Sequence, residues 1–143
     1  MVLSLVAALS YALMLVALSR GPLYTNGYLV GTLINLFGAL IPFTLFALTG
    51  MRMDGAQNAL GIFWGVLGGI GIALFTITMT HLFTGGGTLG FVSPLIYGAA
   101  VVIVTVVGLL AFREPIGLLH ACGIALVVAG IGVIAFAQYR TVG

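Results

Sequence analysis

Apolar residues occupy this chain in five long blocks, residues 2–19, 28–49, 60–80, 89–111 and 116–138, with short polar breaks between them. A block of about 20 residues rising 1.5 Å per residue crosses a hydrocarbon core of about 30 Å. The pattern predicts an all-α fold: a polytopic transmembrane bundle of five helices forming a single domain over residues 1–143. Its centre is the stretch from 89 to 138, where two blocks free of Asp, Glu, Lys and Arg meet across Phe112-Arg113-Glu114-Pro115. In that connector Arg113 suits the negative C-terminal end of one helix dipole and Glu114 the positive N-terminal end of the next. Pro115 suits the first helical position, where its missing N–H would have no partner.

The breaks carry turn chemistry. Arg20 to Gly27 holds Gly21, Pro22 and Asn26, with Tyr24 and Tyr28 suited to headgroup depth. Residues 50–59 include Arg52, Asp54, Gln57 and Asn58 and form the most polar stretch and the longest loop, while 81–88 make a glycine-rich return. Residues 2–19 resemble a secretory signal in apolarity. They lack a basic leading segment and a small-residue cleavage site, and Arg20 follows directly, so the expectation is a retained span. Pro42 lies inside the second block and is expected to kink it, with Asn35 two turns earlier on the same face.

Composition narrows the class. Hydrophobic residues make up 62% of the chain and charged residues 4%, with a mean hydropathy of +1.35, which leaves too few polar side chains to keep a folded surface in water. The formal charge of +2 arises from four cations and two acids, so no clustered basic patch exists to bind nucleic acid. A single cysteine, Cys122, excludes an intrachain disulfide and a multi-cysteine metal site. The sequence shows no catalytic Ser/His/Asp set, metal-ligand spacing or phosphate loop, and Gly85-Gly86-Gly87 reads as a flexible turn. Neither enzymatic activity nor a cofactor or metal is expected.

Polar residues inside the blocks are few, and they supply the candidate cavity lining: Ser10 and Tyr11 in the first, Asn35 in the second, Thr76 and Thr80 in the third, Ser93 and Tyr97 in the fourth; Thr32 shares a face with Asn35 one turn away. Each hydroxyl can instead bond a nearby backbone carbonyl, a purely structural role. Asn35 needs more partners at membrane depth, and such groups face a bundle interior or a wet cavity. His81 and His120 fall near block ends. No carboxylate lies within a block, and proton-coupled exchange of a cationic drug requires a buried acid; a neutral or zwitterionic solute is therefore expected.

Two columns of small residues read as packing seams. Gly61, Gly65, Gly69, Ala73, Thr76 and Thr80 share a helix face, as do Gly117, Ala121, Ala125, Ala129 and Gly132. Small side chains let helices approach closely in lipid, where association relies on van der Waals contact. The second column serves either packing within the bundle or an interface with another copy or a partner. Five spans put the two chain ends on opposite sides, with Arg52 and Arg113 on one side and Arg20 and Arg140 on the other. That tie sets no orientation; Arg140 lies in a tail that barely counts, or a partner sets the orientation, or copies insert both ways and pair antiparallel.

From Glu114 the chain reads E-P-I-G-L-L-H-A-C-G-I-A-L-V-V-A-G-I-G-V-I, and the spacing Glu114, Gly123, Leu126, Gly130 resembles the end of an EamA-type domain of the drug/metabolite transporter superfamily. The opening L-V-A-A-L-S-Y-A-L-M-L-V-A-L-S-R-G resembles the first helix of such a domain, so the resemblance spans the whole chain as one five-helix unit. Two departures stand out. Family members often carry a proline in the fourth helix where this chain has Val101, with Pro94 two turns further from Glu114. Most members also hold two five-helix units in one chain. The resemblance implies a second unit, from a homodimer or a paralogous five-helix partner, and a cavity lined mainly by the first, third and fourth helices with the last packed outside. It implies a secondary transporter or facilitator for a small-molecule substrate, embedded in the lipid bilayer of a prokaryotic cytoplasmic (inner) membrane. The alternatives are a non-transporting membrane assembly subunit and a flippase subunit for a lipid-linked substrate.

Overall fold

The computed structural model describes residues 2–51 and 58–142; the polar loop containing Arg52, Asp54 and Gln57 lies outside the described residues. Five α-helices follow in order: α1 Val2–Arg20, α2 Gly27–Leu48, α3 Asn58–Thr84, α4 Leu89–Ala111 and α5 Leu118–Val142, with one 3-10 turn at Gly21–Leu23 and no strand among the described residues. All five are long and apolar enough to cross a membrane, and no more than 11% of any spanning window is buried by the chain itself. The chain is an integral membrane protein whose helices present most of their apolar surface outward, to lipid.

The chain divides into two compact units, residues 1–86 and 87–143. In the first unit the described core lies at one end. Leu15 and Leu18 of α1, Val30 and Gly31 of α2, and Thr76, Met79, Thr80 and Phe83 of α3 are buried. All belong to the last turns of α1 and α3 and the first turn of α2. Away from that end, Gly38 on α2 and Gly61, Gly65, Gly68, Gly69 and Gly71 on α3 have no neighbouring atom where a Cβ would sit. Three helices thus meet at the turn after α1 and separate toward their other ends.

Local chemistry explains the joined end. Asn26 caps α2, its Oδ1 accepting from the Tyr28 backbone N–H at 2.8 Å, and thereby satisfies one of the orphan donors of the first turn. Gly21 packs directly on Val30, and a Cβ there would fall 2.7 Å from Val30 Cγ1. Helix α3 runs to Thr84, one turn past the expected end at Thr80. Phe83 in that added turn is buried, and burying a phenylalanine repays continuing the helix. The glycine-rich return then acts as its stop: Gly85 N–H donates to His81 O at 2.9 Å, Gly86 N–H to Phe83 O at 3.2 Å, and Gly86 adopts φ +95°. Helix α2 continues through Pro42 to Leu48.

In the second unit α4 and α5 form an antiparallel hairpin. Gly98 is buried beneath Ile131, whose Cδ1 fills the space a Cβ would need, with Val127 Cγ1 beside it. The connector differs from expectation. α5 begins at Leu118, so Pro115 precedes the helix and does not occupy its first position. Arg113 takes a left-handed φ of +54°, and the Glu114 N–H turns back to Gly108 O at 3.0 Å. The Glu114 carboxylate lies against Gly108, Oε2 falling 2.8 Å from a built Cβ, and no acid stands in the first turn of α5.

Candidate functional site

Helices α2 and α3 touch first at two pairs of small residues. Gly27 meets the Thr80 Cγ2 methyl in a contact that leaves no room for a Cβ, and one turn on a Cβ at Gly31 would lie 3.1 Å from Thr76 Cγ2. Gly27 and Gly31 on one helix and Thr76 and Thr80 on the other are each four residues apart, so one face of each helix supplies both contacts. Beyond Gly31 the helices diverge, and the widening gap holds a cavity of about 410 Å³. It is lined by Asn35, Thr32 and Tyr28 of α2 and by Thr76 and Thr80 of α3, with apolar walls from Leu36, Ala73 and Ile77.

Backbone carbonyls of the two helices hold the polar side chains in place. Thr32 donates to Tyr28 O at 2.8 Å, Thr76 to Ile72 O at 2.7 Å and Thr80 to Thr76 O at 2.9 Å. Asn35 Nδ2 donates to Gly31 O at 2.8 Å. Each bond reaches back four residues, which satisfies the side chain's proton inside its own helix and locks its rotamer. Thr76 and Thr80 are nearly inaccessible, at 2% and 6% of full exposure. Where the helices converge, the Tyr28 hydroxyl lies 3.1 Å from His81 Nε2 with the two rings edge to face. These two residues, with Asn26, Gly27, Thr80 and Thr84, also line a smaller recess of about 190 Å³.

Of the residues singled out from the sequence, Asn35, Thr76 and Thr80 come together in this cavity. Ser10 is exposed on α1 and donates to Val6 O at 2.8 Å, and Tyr11 beside it is half-buried; neither lines the cavity. Ser93 and Tyr97 belong to the second unit, on α4, where both are half-buried and the Ser93 Oγ is enclosed with no hydrogen-bond partner among the described residues. In the first unit the cavity wall is built from the second and third helices, where the family resemblance implied the first, third and fourth. Tyr28, His81 and Gly27 read from the sequence as turn or span-end residues and Gly31 carried no reading of its own; the structure makes all four part of the site. A signal for them existed: Gly27 and Gly31 repeat at the spacing of Thr76 and Thr80, and small residues so spaced on two successive helices mark a close crossing.

The two seams behave differently from one another. Only the Ala73-Thr76-Thr80 end of the α3 column packs within the first unit, while Gly61, Gly65 and Gly69 stay open. On α5 the face toward α4 is formed by Val127 and Ile131, and Ala121, Ala125 and Ala129 are exposed. His120 and Cys122 are exposed on the same helix. Arg140 at its end lies 5.0 Å above the Phe136 ring, a cation–π contact suited to an interfacial position. No group of three His, Cys, Asp or Glu side chains able to hold a metal occurs among the described residues. No family model, curated protein or solved structure matches this chain.

Proposed function

We propose that the protein is a secondary transporter or facilitator for a small neutral or zwitterionic metabolite, working as a pair of five-helix units. The observation that carries this reading is the α2–α3 cavity. It is of a size that holds a small molecule, it lies within the membrane-spanning part of the chain, and its polar groups are held on rigid helices. Intramembrane polar residues that face a cavity mark solute pathways in membrane proteins, and carriers place their sites near mid-bilayer between repeated helical units. The resemblance to an EamA-type domain points the same way and supplies the need for a second unit, from another copy or a paralogue.

The test is flux into proteoliposomes across a panel of uncharged and zwitterionic metabolites. Wild-type protein is expected to move at least one of them, and Asn35→Ala is expected to lower that flux about tenfold while the protein still elutes at its native mass. Flux absent for the whole panel would overturn the transport reading.

A second reading has its own support. Gly61, Gly65 and Gly69 on α3 and Ala121, Ala125 and Ala129 on α5 are open within the chain, which suits a subunit that assembles with a larger membrane partner. Co-purification of a stoichiometric partner, with no flux from the chain alone, would favour it.

A further inference from the structure

The cavity's polar atoms are unequal in what they have left to offer, and that inequality names a ligand chemistry. A threonine hydroxyl has one proton and two lone pairs, and in Thr32, Thr76 and Thr80 that proton is already committed to a backbone carbonyl. Asn35 has committed one of its two N–H bonds to Gly31 O at 2.8 Å. A flipped amide would set Oδ1 against that carbonyl oxygen, two acceptors in contact, so the orientation is fixed and Oδ1 is left without a partner among the described residues. The Tyr28 hydroxyl is engaged with His81. Thr76 and Thr80 are nearly inaccessible, so the acceptors on offer are Asn35 Oδ1 and the Thr32 lone pairs, which outnumber the single N–H that Asn35 retains. No Asp, Glu, Lys or Arg lines the cavity, so a charged ligand would enter a low-dielectric site with no counter-ion, at a large desolvation cost.

We infer that the α2–α3 cavity selects an uncharged solute that carries N–H or O–H donors on an otherwise apolar body, holding the donors with Asn35 Oδ1 and the exposed Thr32 oxygen and the body against Leu36, Ala73 and Ile77. This rests on the cavity being the solute site of the proposed function. It goes further by excluding solutes that only accept hydrogen bonds: they would leave Asn35 Oδ1 unpaired and bring their own lone pairs up to it. Primary amides, alcohols and neutral amines fit; esters, ethers and tertiary amides of the same size do not.

The experiment is a ligand-observed NMR titration of the full chain in lipid nanodiscs, corrected with empty nanodiscs. Its probes are hexanamide and methyl pentanoate, which have equal heavy-atom counts but differ in N–H donors. Wild-type protein is expected to bind the amide about tenfold more tightly than the ester, the effect of a hydrogen bond made by one and lost by the other. Asn35→Leu should bring the ratio near one, and Thr32→Val, an isosteric change at an exposed position, should lower it about threefold. If Asn35→Leu does not fold, Thr32→Val decides alone. A wild-type ratio near one, or a ratio unchanged in the folded variants, overturns the inference whether or not liposomes show flux. A ratio that behaves as expected without flux for any solute supports the donor chemistry and removes only transport.

Discussion

At the scale of single residues, four glycine and threonine positions determine where the first unit closes. Thr76 Cγ2 stands 3.1 Å from a built Cβ at Gly31, and valine there adds two methyl groups toward a buried side chain. Gly31→Val is expected to destabilise the protein by about 1–3 kcal/mol, read from unfolding in mixed micelles. Thr76→Ala in the same chain should restore part of that loss, because the two residues share one contact. Gly65→Val belongs to the same small-residue column as Thr76 yet has open space around it, so its stability should lie within about 0.5 kcal/mol of wild type or above it. Equal losses at Gly31 and Gly65 would show that the column packs as one seam.

Helix boundaries and faces are the matter at the scale of elements. The five apolar blocks predicted every helix, because a chain in lipid has only its own backbone to satisfy its N–H and C=O groups. The ends moved where side chains gained or lost a place to pack: α3 gained a turn for Phe83, and α5 began later than Pro115 because Arg113 reverses the chain. Which face of α5 meets α4 was not readable from small-residue spacing, since large residues pack as well as small ones when the opposing helix supplies the glycine. Gly98 supplies it for Ile131. Ile131→Ala is expected to cost about 2 kcal/mol by emptying that contact, whereas Ala125→Leu, on an exposed face, should leave the stability of the single chain within about 0.5 kcal/mol. Thermal unfolding in detergent compares the two, and a larger loss at Ala125 would place it in the α4 contact.

The question for the whole molecule is what covers the helices. With at most 11% of the residues in any spanning window buried, lipid or another protein surface meets most of the helices' apolar surface. The proposed pairing predicts a homodimer by native mass spectrometry in mild detergent. Ala125→Cys in a Cys122→Ser background is expected to form an inter-subunit disulfide on oxidation in membranes, if the open α5 column is the surface that pairs. A monomer in both measurements would remove the homodimer and leave a paralogous or larger partner as the source of the second unit. Orientation is tested on the same cysteine background: reagent access to single sites in the α1–α2 turn from one side of the membrane only would exclude copies inserted both ways.

Hydropathy by itself determined that this chain is a membrane protein of five helices, and the same scarcity of ions set the expectation against nucleic-acid binding and cationic exchange. Those are properties of the chain's transfer between water and lipid, which depend on composition over a span and little on neighbours. Tertiary structure alone decided that Asn35, Thr32, Thr76 and Thr80 share one cavity while Ser10 and Tyr11 stand apart from it. A hydroxyl four residues from a carbonyl looks the same in every helix; its use depends on where a second helix crosses, and Gly27 and Gly31 place that crossing next to Thr76 and Thr80.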